Sequence, residues 1–293
     1  MIKIMEGIIS KFNIYLNLIR INNPVGILLL IWPPFWVAFM PYVQNISFEI
    51  ALIFILGTIT SRSLGCLIND YFDRDIDKHV ERTSSRPITS NKVSTNEVLI
   101  LFVILSVLNL GLLSLLNSKT IVLGLVAAFF IVCYPLTKRF FPIPQLFLGY
   151  TFAFSTLMAH TAFTNTYPNN VTYLIFFITV VWVTMFDTVY ALLDKKFDEK
   201  ININSSALFF SHNTFNFILV MQIIFFILIL ILGYISNFSV NFYSCIFIAF
   251  LIAAYNQNII KSGSSETVLK AFKNNQFIGL FVLIGIIFER IMS

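Results

Sequence analysis

"IALIFILGTITSRSLGCLINDYFDRDID", residues 50–77, begins as a long apolar run and ends in four aspartates. The run Ile50–Ile68 carries a single charge, Arg62, and is close to the ~20 residues that a membrane-crossing helix needs. Similar runs recur along the 293 residues, of which 58% are hydrophobic and 11% charged, with a mean hydropathy of +0.85. Soluble chains carry roughly 25% charged residues, so a soluble core could not hide this much apolar surface. A bilayer can.

Nine spans are predicted: Val25–Met40, Ile50–Ile68, Val98–Leu116, Ile121–Tyr134, Gln145–Phe163, Val171–Leu193, Phe215–Ile235, Val240–Tyr255 and Gln276–Met292. None alternates apolar and polar residues as a barrel strand would. The expectation is therefore an all-α polytopic membrane protein, one domain over residues 1–293, a bundle of about nine transmembrane helices with cytoplasmic cap loops. Pro33 and Pro34 should bend the first span. Residues 1–20, "MIKIMEGIISKFNIYLNLIR", read as an amphipathic surface helix; no small-residue cleavage site follows, so no signal peptide is expected. Cys66, Cys133 and Cys245 have no metal or disulfide spacing and read as small core residues; the isolated His160 and His212 read as structural.

Basic residues gather in the N-terminal segment and in the loops after the second, fourth, sixth and eighth spans, whereas the opposite loops hold only Lys119. The positive-inside rule then places the N-terminus and these loops inside and the C-terminus outside. The pI of 9.1 reflects this topology and anionic lipid, with no nucleic-acid module behind it.

The acids at the end of the second span share one helical face: Asn69, Asp73 and Asp77 are spaced i, i+4, i+8, with Asp70 beside them and Asp75 pointing elsewhere. Near the end of the sixth span Tyr190, Asp194 and Asp198 repeat the spacing, with Asp187 one turn earlier. Two carboxylates about 4 Å apart repel by about 4 kcal/mol at an effective dielectric of 20, so each face calls for a cation. Carboxylate and amide oxygens suit a hard ion such as Mg²⁺, which completes its shell with water and phosphate oxygens. Arg82 and Arg86 follow the first face, and Lys138 and Arg139 lie in the next basic loop, where they could meet a departing diphosphate. The same acids could instead serve a cation-coupled transporter, though Arg62 is the one clear charge in mid-membrane.

"NDYFDRDID" resembles the first aspartate motif of the UbiA-type intramembrane prenyltransferases, and "DTVYALLD" with Asp198 resembles their second. "RINNPVGILLLIWPPFW" and "YPLTKRFFPIPQLFLG" are similar to segments of the 4-hydroxybenzoate polyprenyltransferase branch. The resemblance covers about Arg20 to Ser206. It implies a diphosphate-releasing enzyme that uses Mg²⁺ to move a polyprenyl chain onto the ring of 4-hydroxybenzoate, ortho to its hydroxyl, in ubiquinone biosynthesis. It implies a bacterial inner-membrane protein with its site on the cytoplasmic side, binding polyprenyl diphosphate and the aromatic acid within the bilayer. On this resemblance Asn69, Asp73 and Asp77 serve one metal and Asp194 and Asp198 another, with Asp70 and Asp187 in support. Lys138, Arg139, Arg74, Arg82 and Tyr134 would bind diphosphate, Tyr190 would present its ring to the cation or the acceptor, and Arg20 would take the acceptor's carboxylate. Another aromatic acceptor stays open. The chain departs from the family where "NINSS" puts Asn202 and Asn204 in place of Gly and Lys, and where Asn23 replaces a basic residue.

Overall fold

The computed structural model describes residues 2–79, 83–200 and 203–292. Among these, all regular structure is helical. The helices are α1 Ile2–Leu18, α2 Val25–Ala38, α3 Phe48–Phe72, α4 Arg74–Asp77, α5 Thr95–Ser114, α6 Ser118–Thr137, α7 Pro144–Thr164, α8 Asn170–Lys200, α9 Ser206–Phe209, α10 Thr214–Ile235, α11 Val240–Ile259 and α12 Ser265–Met292. Eight of them, α3, α5–α8 and α10–α12, are long and apolar enough to cross a membrane. The chain is an integral membrane protein.

Each expected span has its helix, but three lengths differ in ways that matter. α2 has 14 residues, short of a full crossing, and contains Pro33 and Pro34. α8 runs on to Lys200 because polar "DKKFDEK" continues a helix as readily as apolar residues do once it leaves lipid, so Asp194 and Asp198 stay helical. α12 likewise starts at Ser265, well before the expected Gln276.

Short polar residues set the ends. Ser47 caps α3, Ser94 and Glu97 form a reciprocal capping box on α5, Asn117 caps α6, and Asn165 ends α7 in the left-handed region at φ 54°. α8 is the central helix, and its threonines are tolerated there because their hydroxyls donate to the preceding turn: Thr179 to Ile175 O, Thr184 to Val180 O and Thr188 to Thr184 O, at 2.7–2.8 Å. α7 comes close to it at Gly149, where a Cβ would stand 2.7 Å from Val180 O. Trp36 and Trp182 pack with centroids 5.1 Å apart, and Trp36 Nε1 donates to Gly279 O, tying α2, α8 and α12 together. α5 turns most of its side chains outward, as a lipid-facing helix does.

α1 docks through Lys11 and Tyr15, both reaching Glu97, with Leu18 fully buried. Cys66 and Cys245 are buried and Cys133 partly so. His160 is enclosed between Thr172 and Thr166, while His212 is exposed in a short turn.

Candidate active site

α3 does not carry the acids on one unbroken helix. It ends at Phe72, Asp73 caps it at φ −91°, ψ 2°, and α4 restarts at once, its Asp77 N–H donating to Asp73 O. The break leaves the acids in two pairs. Asn69 Oδ1 and Asp73 Oδ2 converge on Lys138 Nζ at 3.0 and 2.8 Å. Asp70 and Asp77 share Arg86 Nη1 at 3.0 and 2.6 Å, and Asp70 also accepts from Arg20 at 2.6 Å. Asp75 points away, exposed and paired with Lys78.

The second group arrives along α8. Asp187, Tyr190, Asp194 and Asp198 line the same cavity of about 860 Å³ as Asn69, Asp73, Asp77, Arg20, Arg86, Tyr134 and Lys138. Tyr190 packs its ring on Phe272 of α12, centroids 4.8 Å apart. Lys138 stands over the Tyr134 ring at 5.7 Å. After α8 the chain folds back, and Asn204 N–H donates to Lys138 O at 2.9 Å, holding the lysine's backbone from behind. Asn204 and Asn23 line the cavity; Asn202 lies outside the described residues.

Electrostatics keep these groups charged at a cost. Burial opposes the charge on Lys138, but Asp73, and more distantly Asp198, raise its pKa above the lysine range. Burial also opposes the charge on Arg20, but Asp70, together with Cys66 and Tyr190, raises its pKa above the usual range. Asp77 is raised chiefly by burial; Arg86 opposes the shift, while the nearby Asp70 and Asp73 add to it.

The expected residues divide accordingly. Asp70 is 1% exposed and lies behind the cavity wall, where it anchors Arg20 and Arg86. Arg74 does not line the cavity: it stacks on Tyr71 at 4.5 Å and faces Asp75, because the restarted helix turns it outward. Arg139 is exposed and also outside the lining. Arg82 lies outside the described residues. Arg86, expected beside the first acid face, does line the cavity, and two further lining cations had no role assigned from the sequence: Lys273 of α12 and Arg62. Arg62 had a signal, since an ionisable residue in mid-membrane marks function by default. Its guanidinium lies against Gly26, where a Cβ would meet Nε at 2.7 Å, and among the described residues it has no hydrogen-bond or ion-pair partner.

The donor set fits a hard divalent cation. Every donor is oxygen, and Lys138 Nζ already marks a point where Asn69 and Asp73 converge on one positive charge. Among the described residues no three acids, histidines or cysteines converge on a ready-made metal cage. A bound ion would thus take further ligands from water or a phosphate-bearing substrate.

The UbiA prenyltransferase family model matches residues 30–282. The chain belongs to the UbiA prenyltransferase family. It is 39% identical to a protein of Vesicomyosocius okutanii over 92% of this chain and 98% of that one, and 36% identical to one of Aeromonas hydrophila over 93% and 95%; both are named 4-hydroxybenzoate octaprenyltransferase. The fold resembles a UbiA homologue from Aeropyrum pernix K1, with TM-score 0.78, 21% identity, and 92% and 98% of the two chains covered. It also resembles a UbiA homologue from Archaeoglobus fulgidus bound to GPP and Mg²⁺, with TM-score 0.66, 21% identity, and 94% and 99% covered. Family membership makes this chain a membrane-embedded prenyltransferase.

Proposed function

We propose that this chain transfers a polyprenyl group from its diphosphate to the ring of 4-hydroxybenzoate, ortho to the hydroxyl, as a step of ubiquinone biosynthesis. The observation that carries the proposal is one cavity that holds both acid groups together with Arg20, Arg86, Lys138 and Lys273, and continues between apolar helices, where Arg62 is the remaining charged residue on its described wall. That shape suits a substrate with a diphosphate head and a lipid tail, and it offers no chain of acids for a transported ion. The names of the two relatives supply the acceptor.

Asn69, Asp73 and Asp77 would hold one Mg²⁺, and Asp194 and Asp198 another. When bound, the metal neutralises charge on the diphosphate and so eases its departure. Lys138 adds a fixed positive charge between the two acid groups, and Tyr134 beneath it shapes that side of the pocket. The allylic C–O bond breaks with its electron pair going to diphosphate. The ring carbon ortho to the hydroxyl attacks the resulting allylic cation, and loss of the ring proton restores aromaticity. Tyr190, locked against Phe272, presents an electron-rich face to the cation. Asp70 acts behind the wall by fixing Arg20 and Arg86. Arg62, which has Asp187 within electrostatic reach but no hydrogen bond to it, suits the acceptor's carboxylate, with Arg20 a second cation on the same wall. The basic loops orient this end of the bundle to the cytoplasm, in a bacterial inner membrane.

The test incubates membranes holding the protein with a polyprenyl diphosphate and labelled 4-hydroxybenzoate, with Mg²⁺ or EDTA, for wild type, Asp73→Ala and Asp194→Ala. Prenylated product that needs the metal and both aspartates is the expected result. No product from folded wild type would discard 4-hydroxybenzoate as acceptor, and product unaffected by EDTA would discard the metal.

A further inference from the structure

Away from the acids the cavity follows α3, and at Gly57 its wall lacks a side chain. Gly57 lies twelve residues before Asn69 in α3, ~18 Å along the helix axis. α3 and α5 are joined at this level by Thr60 Oγ1, which donates to Asn109 Oδ1 at 3.0 Å, and both Gly57 and Asn109 line the cavity. The wall elsewhere includes larger groups such as Phe54, Phe102 and Phe152.

Several other helical glycines here have a packing reason, while Gly65, also on the cavity wall, would bring a Cβ to ordinary contact with Ile131 at 3.9 Å. A Cβ at Gly26 would strike Arg62, and one at Gly124 would strike Leu113. A Cβ at Gly57 would meet nothing within 4 Å. Gly111 is also unobstructed, but it is exposed on the outer face of α5 and does not line the cavity. Glycine is the poorest helix former after proline. At Gly57 that penalty comes with no close packing in return, only with an open channel.

We infer that Gly57 determines how long a prenyl chain the enzyme accepts, because a side chain there projects into the path of the tail. The inference rests on the prenyl-transfer reading above. A geranyl chain anchored by its diphosphate at the acids ends before Gly57, whereas an octaprenyl chain must pass it.

The experiment measures kcat/KM with octaprenyl and with geranyl diphosphate in the same membranes, for wild type and for Gly57→Ala, Gly57→Val and Gly57→Phe. Gly111→Phe serves as the control for added bulk on α5's outer face. The octaprenyl-to-geranyl ratio should fall in order of side-chain volume, by at least ten-fold for Gly57→Phe, and stay at the wild-type value for Gly111→Phe. A ratio that does not follow volume across the series overturns the inference. Should Gly57→Phe fail to fold, the Ala and Val variants decide by the same criterion. Wild type inactive with both diphosphates would reject prenyl transfer itself, and active wild type with an unchanged ratio would reject only the role of Gly57.

Discussion

Lys138 Nζ lies 2.8 Å from Oδ2 of Asp73, so the connection between α6 and α7 closes over the end of α3. The lysine places a fixed positive charge beside the acid groups, where the proposed reaction would have diphosphate gain charge as it departs. Lys138→Met should lower the rate of product formation by about a hundred-fold, comparable to removing one preorganised donor from a transition state. Lys138→Arg should recover part of that loss. The check is turnover of labelled 4-hydroxybenzoate at saturating Mg²⁺.

Arg20 pairs with buried Asp70 while its backbone sits at φ 57°, a conformation that non-glycine residues rarely adopt. Arg20→Ala removes a charged hydrogen bond, a loss of about 1.5–3 kcal/mol, and keeps the backbone penalty. Arg20→Gly removes the same bond but relieves the backbone. Thermal unfolding in detergent should therefore rank wild type above Arg20→Gly, and Arg20→Gly above Arg20→Ala. Equal melting of the two variants would show that the left-handed turn stores no strain.

On the proposed reaction, a variant of Arg62 distinguishes acceptor binding from diphosphate binding. Arg62→Ala should raise KM for 4-hydroxybenzoate by about ten-fold or more, since a charged hydrogen bond is worth about 1.5–3 kcal/mol, with a smaller change in KM for polyprenyl diphosphate. The opposite split would move Arg62 to the diphosphate side.

Gly149 tests the packing of α7 on α8. Its Cβ position lies 2.7 Å from the Val180 carbonyl and 2.9 Å from Thr184 Oγ1, and a backbone carbonyl cannot swing aside. Gly149→Ala should destabilise by about 1–3 kcal/mol, the usual range for forced overpacking. Gly57→Ala, with open space before it, should not destabilise. Parallel detergent melts of the two variants make the comparison.

Much of the site could be read from the chain because its chemistry is local. Asn69, Asp73 and Asp77 lie within about two turns, as do Tyr190, Asp194 and Asp198, so spacing alone brought each set to the end of one span, though the break at Asp73 divides the first set between two helices. The basic residues were harder. Arg74 and Arg86 look alike in a loop rich in charge, yet the restart of the helix at Arg74 turns one outward, while the return of the chain brings the other onto Asp70 and Asp77. Lys273 is remote in sequence from both acid groups of the site, yet it lines the cavity beside Phe272, which packs on Tyr190.

The sequence by itself determined the class of molecule: apolar runs of bilayer length leave helices as the way to satisfy the backbone inside lipid. It also determined the donor chemistry, since oxygen ligands at helical spacing can be read without coordinates. Only the tertiary structure decided which acids face the cavity and which stand behind it, as Asp70 does, because that depends on where Arg20 and Arg86 arrive from distant segments. It decided equally that Gly57 faces empty space while Gly26 and Gly124 do not. A glycine reads the same in any sequence, and what stands opposite its missing side chain is set by other helices.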